Sequence, residues 1–228
     1  MSQLTKELLY LKEIASEMME LVKSQFIHSK QAIIQFDTGL AESILRSESR
    51  VNALELTIEK ECENMIALYQ PVATDLRMLL SVFKFVSDLE RMGDHARYFA
   101  KALIERNEPF DAKIIESLEL SVYFNDLSVM FDDVIYALNS QDTSVARNVF
   151  RKDKEINRRF KSSVAFLNQE ILQSPKPDND IILLHSIVAR LERTANLLTN
   201  IAEEIIFHVE AKVIKHNKQI KKELREGI

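Results

Sequence analysis

The 228-residue sequence predicts an all-α protein built as two tandem, internally repeated three-helix bundles, six helices in all. Three observations carry that prediction. Glycine and proline number only three and four, tryptophan is absent, and Leu, Ile, Glu, Lys and Ala are abundant, a composition of long helices rather than of strands and turns. Apolar residues recur at spacings of three, four and seven, the helical period. The second half of the chain repeats the first.

The first helix is expected from about Gln3 to Gln35, with Leu4, Leu8, Leu11, Ile14, Met18, Leu21 and Val22 on one face. Asp37-Thr38-Gly39 breaks it, joining a residue able to end a helix to residues able to cap the next. A second helix through Leu68 carries Leu40, Ile44, Val51, Leu54 and Ile58 inward. The third, Gln70 to Glu105, is expected to open with Pro71 at its first helical position, where the missing N–H costs nothing. Its stripe is Val72, Leu79, Val82, Val86, Leu89, Met92, Ala96, Ala100 and Leu103.

Asn107-Glu108-Pro109 is the best domain-level break, because residues before a proline are pushed out of helical geometry. A fourth helix is expected over about Ala112 to Leu138 and a fifth over Thr143 to Leu172. Ser174-Pro175-Lys176-Pro177 then separates a sixth, about Asp178 to Ile214. The basic end of the chain reads as a fraying helical extension. The domains are therefore residues 1–108, 109–214 and a C-terminal extension, 215–228.

A shift of 105 residues lays Asp37, Thr38, Ala41, Arg46 and Asn52 on Asp142, Thr143, Ala146, Arg151 and Asn157, with Glu48 opposite Asp153 and Val51 opposite Ile156. A shift of 102 lays Val86, Leu89, Glu90, Arg91, Ala100 and Ile104 on Val188, Leu191, Glu192, Arg193, Ala202 and Ile206. Matches at polar positions mean that the duplicated unit has kept more than its core.

Glu90 and Asp94 are four apart and share a helix face, where like charges repel by a few tenths of a kcal/mol. Something cationic belongs beside them. Arg91 and Arg97, each three residues from Asp94, would make an ordinary solvated ion-pair face; a metal ion held between helices is the alternative. Gly93, costly inside a helix, marks a close approach of a neighbour. In the second repeat Asp94 becomes Asn196, so Glu192/Asn196 has one anionic ligand fewer and a metal would prefer the first repeat.

The net charge of −5 argues against nucleic-acid binding through a basic face. Cys62 is the only cysteine, which excludes an internal disulfide and a thiolate cluster and suits a reducing compartment. The N-terminus lacks a signal-like apolar run, and no stretch approaches the roughly 20 apolar residues of a membrane span. The expectation is a soluble cytoplasmic protein. No glycine-rich phosphate loop, nucleophile constellation or cysteine-histidine metal spacing occurs. Ferritin-like di-metal enzymes or storage proteins, the rival class, expect Glu-x-x-His, and no histidine here has a glutamate three residues before it. His95 points about 100° away from Asp94 around the helix.

The segments QPVATDLR and SDLERMGD, a second LER half a chain later and the closing TNIAEEI resemble the PhoU family over essentially the whole chain. The resemblance implies a cytoplasmic, often dimeric regulator that restrains the phosphate-starvation response and links a phosphate ABC transporter's ATPase to a sensor histidine kinase. It also implies metal clusters, iron among them, on the acidic motif of each repeat in some members. Carried over by position, the motif residues are Glu90 and Asp94, then Glu192 with Asn196 where the family has an acid. The surrounding signature contributes Asp75, Arg77, Arg91 and Arg193. Asp75 suits the dipole of the early helix turns. Glu48, Asn52, Asp153 and Asn157 are contributors from adjacent helices, either to such a site or to capping and inter-helix hydrogen bonds.

Overall fold

The computed structural model describes residues 2–173, 179–214 and 224–226. Seven helices are described: α1 (Gln3–Gln35), α2 (Thr38–Tyr69), α3 (Ala73–Ile104), α4 (Ala112–Ser117), α5 (Leu120–Ser140), α6 (Thr143–Gln173) and α7 (Asn179–Glu210). The expected fourth helix is thus two. Glu119 takes a left-handed conformation, φ 52°, and the break turns both Leu118 and Leu120 fully into the core, which a continuous helix could not do for residues two apart.

The start of the third helix also differs from expectation. Gln70 and Ala73 are both left-handed, so the connector reverses twice, Pro71 is buried within it, and α3 begins at Ala73. Val72, counted in the stripe, becomes the helix N-cap and is 75% exposed. The rest of that stripe is buried as expected. At the other end, Ala211 to Ile214 lie outside α7, which is shorter than expected. Ser174-Pro175-Lys176-Pro177 and most of the basic extension fall outside the described residues.

The repeated Asp-Thr pairs are helix starts. Asp37 Oδ1 accepts from the Leu40 amide at 3.0 Å, and Asp142 Oδ1 accepts from the Ser144 amide at 2.9 Å. Each cap satisfies a backbone donor that the helix cannot. α1, α2 and α3 pack together, as do α5, α6 and α7, and the two bundles join along α1 against α5 and α3 against α7. Phe26, Phe99, Phe124 and Phe131 meet at that junction with ring centroids 5.6 to 6.4 Å apart, so one apolar core runs through both repeats. Lys23 to Asp132 at 2.5 Å and Lys30 to Asn125 at 2.8 Å edge the α1–α5 seam. Arg106 clamps the Asp180 carboxylate with both terminal nitrogens and tethers the end of α3 to the start of α7.

Candidate functional site

Gly93 sits where α3 crosses α2. A Cβ there would lie 3.2 Å from Val51 Cγ1, tighter than ordinary carbon contact, so the glycine lets the two helices approach. Beside this crossing, the carboxylates of α2 and α3 gather on one flank. Burial first, then the charges of Asp94 and Glu48, push the Glu90 carboxyl above its usual range. Glu55 is shifted the same way by burial and by Glu90, Glu59 and Asp94. The flank is therefore under anionic stress.

Arg97 answers it. Its guanidinium lies 3.4 Å from Asp94 and 3.8 Å from Glu48, bridging α3 to α2. Arg91 does not join it: it reaches back to Asp88 at 3.6 Å. Asn52 donates to Glu48 at 3.1 Å. Oxygen donors under repulsion suit a hard cation chemically, but among the described residues no three His, Cys, Asp or Glu side chains converge to hold one. The first repeat presents a two-carboxylate edge spanned by an arginine rather than a closed chelate.

The second repeat solves the same problem differently. Asn196 donates to Glu192 at 2.7 Å. Asp153, the counterpart of Glu48, is fully buried. It accepts from Asn157 at 2.9 Å and from Arg225 Nη2 at 2.5 Å. The position matching Arg97 is Thr199, whose hydroxyl donates to the Asn196 carbonyl at 2.7 Å, so the guanidinium arrives from the C-terminal extension instead. Glu48, Asn52, Asp153 and Asn157 all prove to be members of acid–asparagine pairs four residues apart.

The signature residue Arg77 is structural. Its Nε donates to the His208 carbonyl at 3.2 Å and it also reaches Thr74 at 3.1 Å, closing the C-terminal end of α7 with a cation, as the helix dipole favours. Asp75 lies half-buried in the first turn of α3. Arg193 is exposed and lines a groove between α3 and α7 together with Asp94 and Asn196. His95, which points away from Asp94 around α3, is inter-helical: its Nδ1 lies 2.9 Å from Thr194 Oγ1. Burial, then Arg190 and Arg193, lower its pKa to about 4.

Sequence reasoning missed Arg190, whose guanidinium carbon lies 3.5 Å from the Tyr98 ring centroid, and Arg225. Repeat comparison passes over Arg190 because its counterpart is Asp88, and over Arg225 because it lies beyond both repeats. The face shared by Arg190, Arg193 and Leu197, at helical spacing, was the available signal for the first.

A duplicated three-helix unit carrying one charged motif per copy defines a tandem-repeat helical protein. A family model described as the PhoU domain matches it twice, over residues 15–103 and 121–205, and the chain belongs to the PhoU family. A relative in Aquifex aeolicus named as a phosphate-specific transport system accessory protein PhoU homolog is 32% identical over 94% of this chain and 96% of its own length. The crystal structure of PhoU from Pseudomonas aeruginosa superposes with a TM-score of 0.85 at 28% identity, covering 92% of this chain and all of that one. A phosphate transport system regulatory protein PhoU from Streptococcus pneumoniae gives 0.82 at 25%, over 93% of this chain and all of that one.

Proposed function

We propose that this protein is a non-catalytic cytoplasmic adapter of phosphate homeostasis. In this reading it restrains phosphate uptake and the phosphate-starvation response by coupling a phosphate ABC transporter's ATPase to a sensor histidine kinase, and it works as a homodimer. The observation that carries the reading is membership of the PhoU family through both repeats, with a relative named as an accessory protein of phosphate-specific transport aligned over nearly the whole chain. No helix among the described residues is long and apolar enough to cross a membrane. One observation of the structure supports a docking role. The two bundles share one continuous core, so they present their flanks as a single rigid surface.

Metal forms a separate part of the proposal and concerns the first repeat. Glu90 and Asp94 would offer a divalent or iron cation an open two-carboxylate edge on α3, with Asp94 given up by Arg97; no third acidic or imidazole side chain converges there among the described residues. In the second repeat Arg225 already neutralises Asp153.

The test is affinity purification from phosphate-replete and phosphate-starved cells, with metal content measured on the same preparation. Phosphate-dependent recovery of the transporter ATPase or the kinase supports the adapter. Recovery of neither under both conditions overturns it. Alanine at both Glu90 and Asp94 in a folded protein separates the metal component: unchanged partner recovery would remove metal from the mechanism and leave the adapter standing.

A further inference from the structure

α3 and α7 face each other across a groove of about 630 Å³, within the size range of small-molecule sites. His95 lines it, with its Nδ1 2.9 Å from the buried Thr194 Oγ1. From α3 it is lined by Arg91, Arg97 and Lys101, and from α7 by Arg190 and Arg193, against one carboxylate, Asp94. Five cations to one anion is the reverse of the whole chain, which carries a net −5. Arg97 and Lys101 are four apart on one helix, and Arg190 and Arg193 three apart on the other, so each pair costs a few tenths of a kcal/mol in repulsion. Helix stability does not account for them.

Two of the five are committed elsewhere, Arg97 to Asp94 and Glu48 and Arg91 to Asp88. Arg193 and Lys101 are exposed and have no carboxylate partner among the described residues. Arg190 is placed but not consumed. It is stacked on Tyr98 at 3.5 Å and donates through Nη1 to the Ser186 carbonyl at 3.3 Å, which leaves the remaining donors of a preorganised fork.

The geometry points to a binding site for a phosphate group in the α3–α7 groove, held by Arg190, Arg193 and Lys101. Charge-assisted donors from the two facing helices, Lys101 on α3 and Arg190 and Arg193 on α7, suit a tetrahedral dianion, and guanidinium forks suit its oxygen pairs. The groove is larger than one phosphate, and it runs on past Tyr98 and Lys101 into a second hollow of about 590 Å³ toward Glu105 and Asn179. The phosphate is therefore either free inorganic phosphate or the charged end of an organic ester such as a nucleotide. The inference does not rest on the adapter reading, since it concerns the purified chain alone.

The experiment is isothermal titration of the purified full chain at low salt with inorganic phosphate and, separately, with ADP. Binding is expected for at least one and should weaken steeply with added sodium chloride. Phosphate binding on its own identifies the free ion as the ligand, and ADP binding without phosphate identifies an ester. Lys101→Glu with Arg193→Glu, both exposed sites, should reduce affinity about tenfold or more, whereas Arg46→Glu on α2, equally a charge reversal, should not. Absence of binding by either probe at about 10 mM, which corresponds to under 3 kcal/mol, overturns the site. So does binding that ignores the Lys101/Arg193 reversal, or an acidic peptide binding in the groove where neither phosphate nor ADP does.

Discussion

The two repeats bury equivalent apolar residues and yet neutralise equivalent acids by different means. Val51 and Ile156, Leu89 and Leu191, and Val86 and Val188 are all fully buried pairs. Between them, Glu48 is left partly open and shares Arg97 with Asp94 at 3.8 and 3.4 Å, whereas Asp153 is sealed from solvent and receives Arg225 at 2.5 Å. The core of a duplicated unit is held by the packing that both copies need. Its charges diverge as soon as one copy loses its internal cation, here by Thr199 standing where Arg97 stands. A carboxylate in the interior must be paired, so the second repeat depends on the end of the chain in a way that the first does not.

The largest way to break that comparison is Arg225→Ala. It withdraws a guanidinium from the fully buried Asp153, which costs about 3 kcal/mol, measured by urea denaturation. Arg97→Ala removes a longer and more solvated pair, so its cost is about 1 kcal/mol or less. Adding Asp153→Asn to Arg225→Ala should restore most of the loss, because a neutral amide needs no counter-ion. Equal costs for the two arginines would show that the second repeat does not rely on its C-terminal cation.

The next effect is the pH dependence that His95 contributes at the α3–α7 junction. In the unfolded chain His95 takes a proton as pH falls through about 6.5, but in the fold its pKa is lowered to about 4. The folded form therefore binds fewer protons across that window. Its stabilisation is complete above the upper value and is lost as pH falls toward the lower one, by about 3 kcal/mol at most. Burial, Arg190 and Arg193 act in this direction and Asp94 opposes them; His208, also lowered, adds to the same slope. The residue matching His95 in the second repeat is Leu197, so His95→Leu should flatten the melting temperature between pH 6.5 and 4.

The helices, their inward faces and the duplication were legible because each rests on local periodicity that burial rewards. α1 and α2 match the expected bounds almost to the residue. What was not legible depended on single backbone choices or on distance in sequence. The left-handed Glu119 that divides α4 from α5 has no glycine to announce it, and the chain accepts the strain because Leu118 and Leu120 both gain the core. Pro71 gave a correct signal of a helix start with the wrong register. In the site, Glu90, Asp94, Glu192 and Asn196 were found by spacing and repeat, but Arg190, which shares a groove with Asp94 and Asn196, and Arg225, which pairs with Asp153, come from elements whose apposition only the fold supplies.

Gly93→Val sharpens the comparison at the level of packing. The glycine admits Val51 so closely that even a Cβ would sit at 3.2 Å, and two further methyl groups should cost about 2 kcal/mol by overpacking. The second repeat has Ala195 at this place, fully buried. Its α6–α7 crossing thus already accommodates a Cβ, and Ala195→Gly should cost about 1 kcal/mol through helix propensity alone. A free substitution at Gly93 in denaturation experiments would mean that the crossing can shift and that the glycine is not what sets it.

The smallest effect is the most specific to the motif. Asp94→Asn gives the first repeat the residue type that the second already has. Two consequences oppose each other in stability: the repulsion with Glu90 disappears, worth a few tenths of a kcal/mol, and the exposed Arg97 pair at 3.4 Å weakens by a similar amount. The midpoint of unfolding should move little, and its informative readout is the titration of Glu90. That carboxyl is held above its usual range by burial and by Asp94 in turn, so removing the second cause, and offering an amide donor of the kind Asn196 gives Glu192 at 2.7 Å, should lower its pKa in NMR titration. If Glu90 titrates identically with Asp or Asn at position 94, the two carboxylates are electrostatically independent, and the acidic pair loses its claim to be the part of the first repeat that attracts a cation.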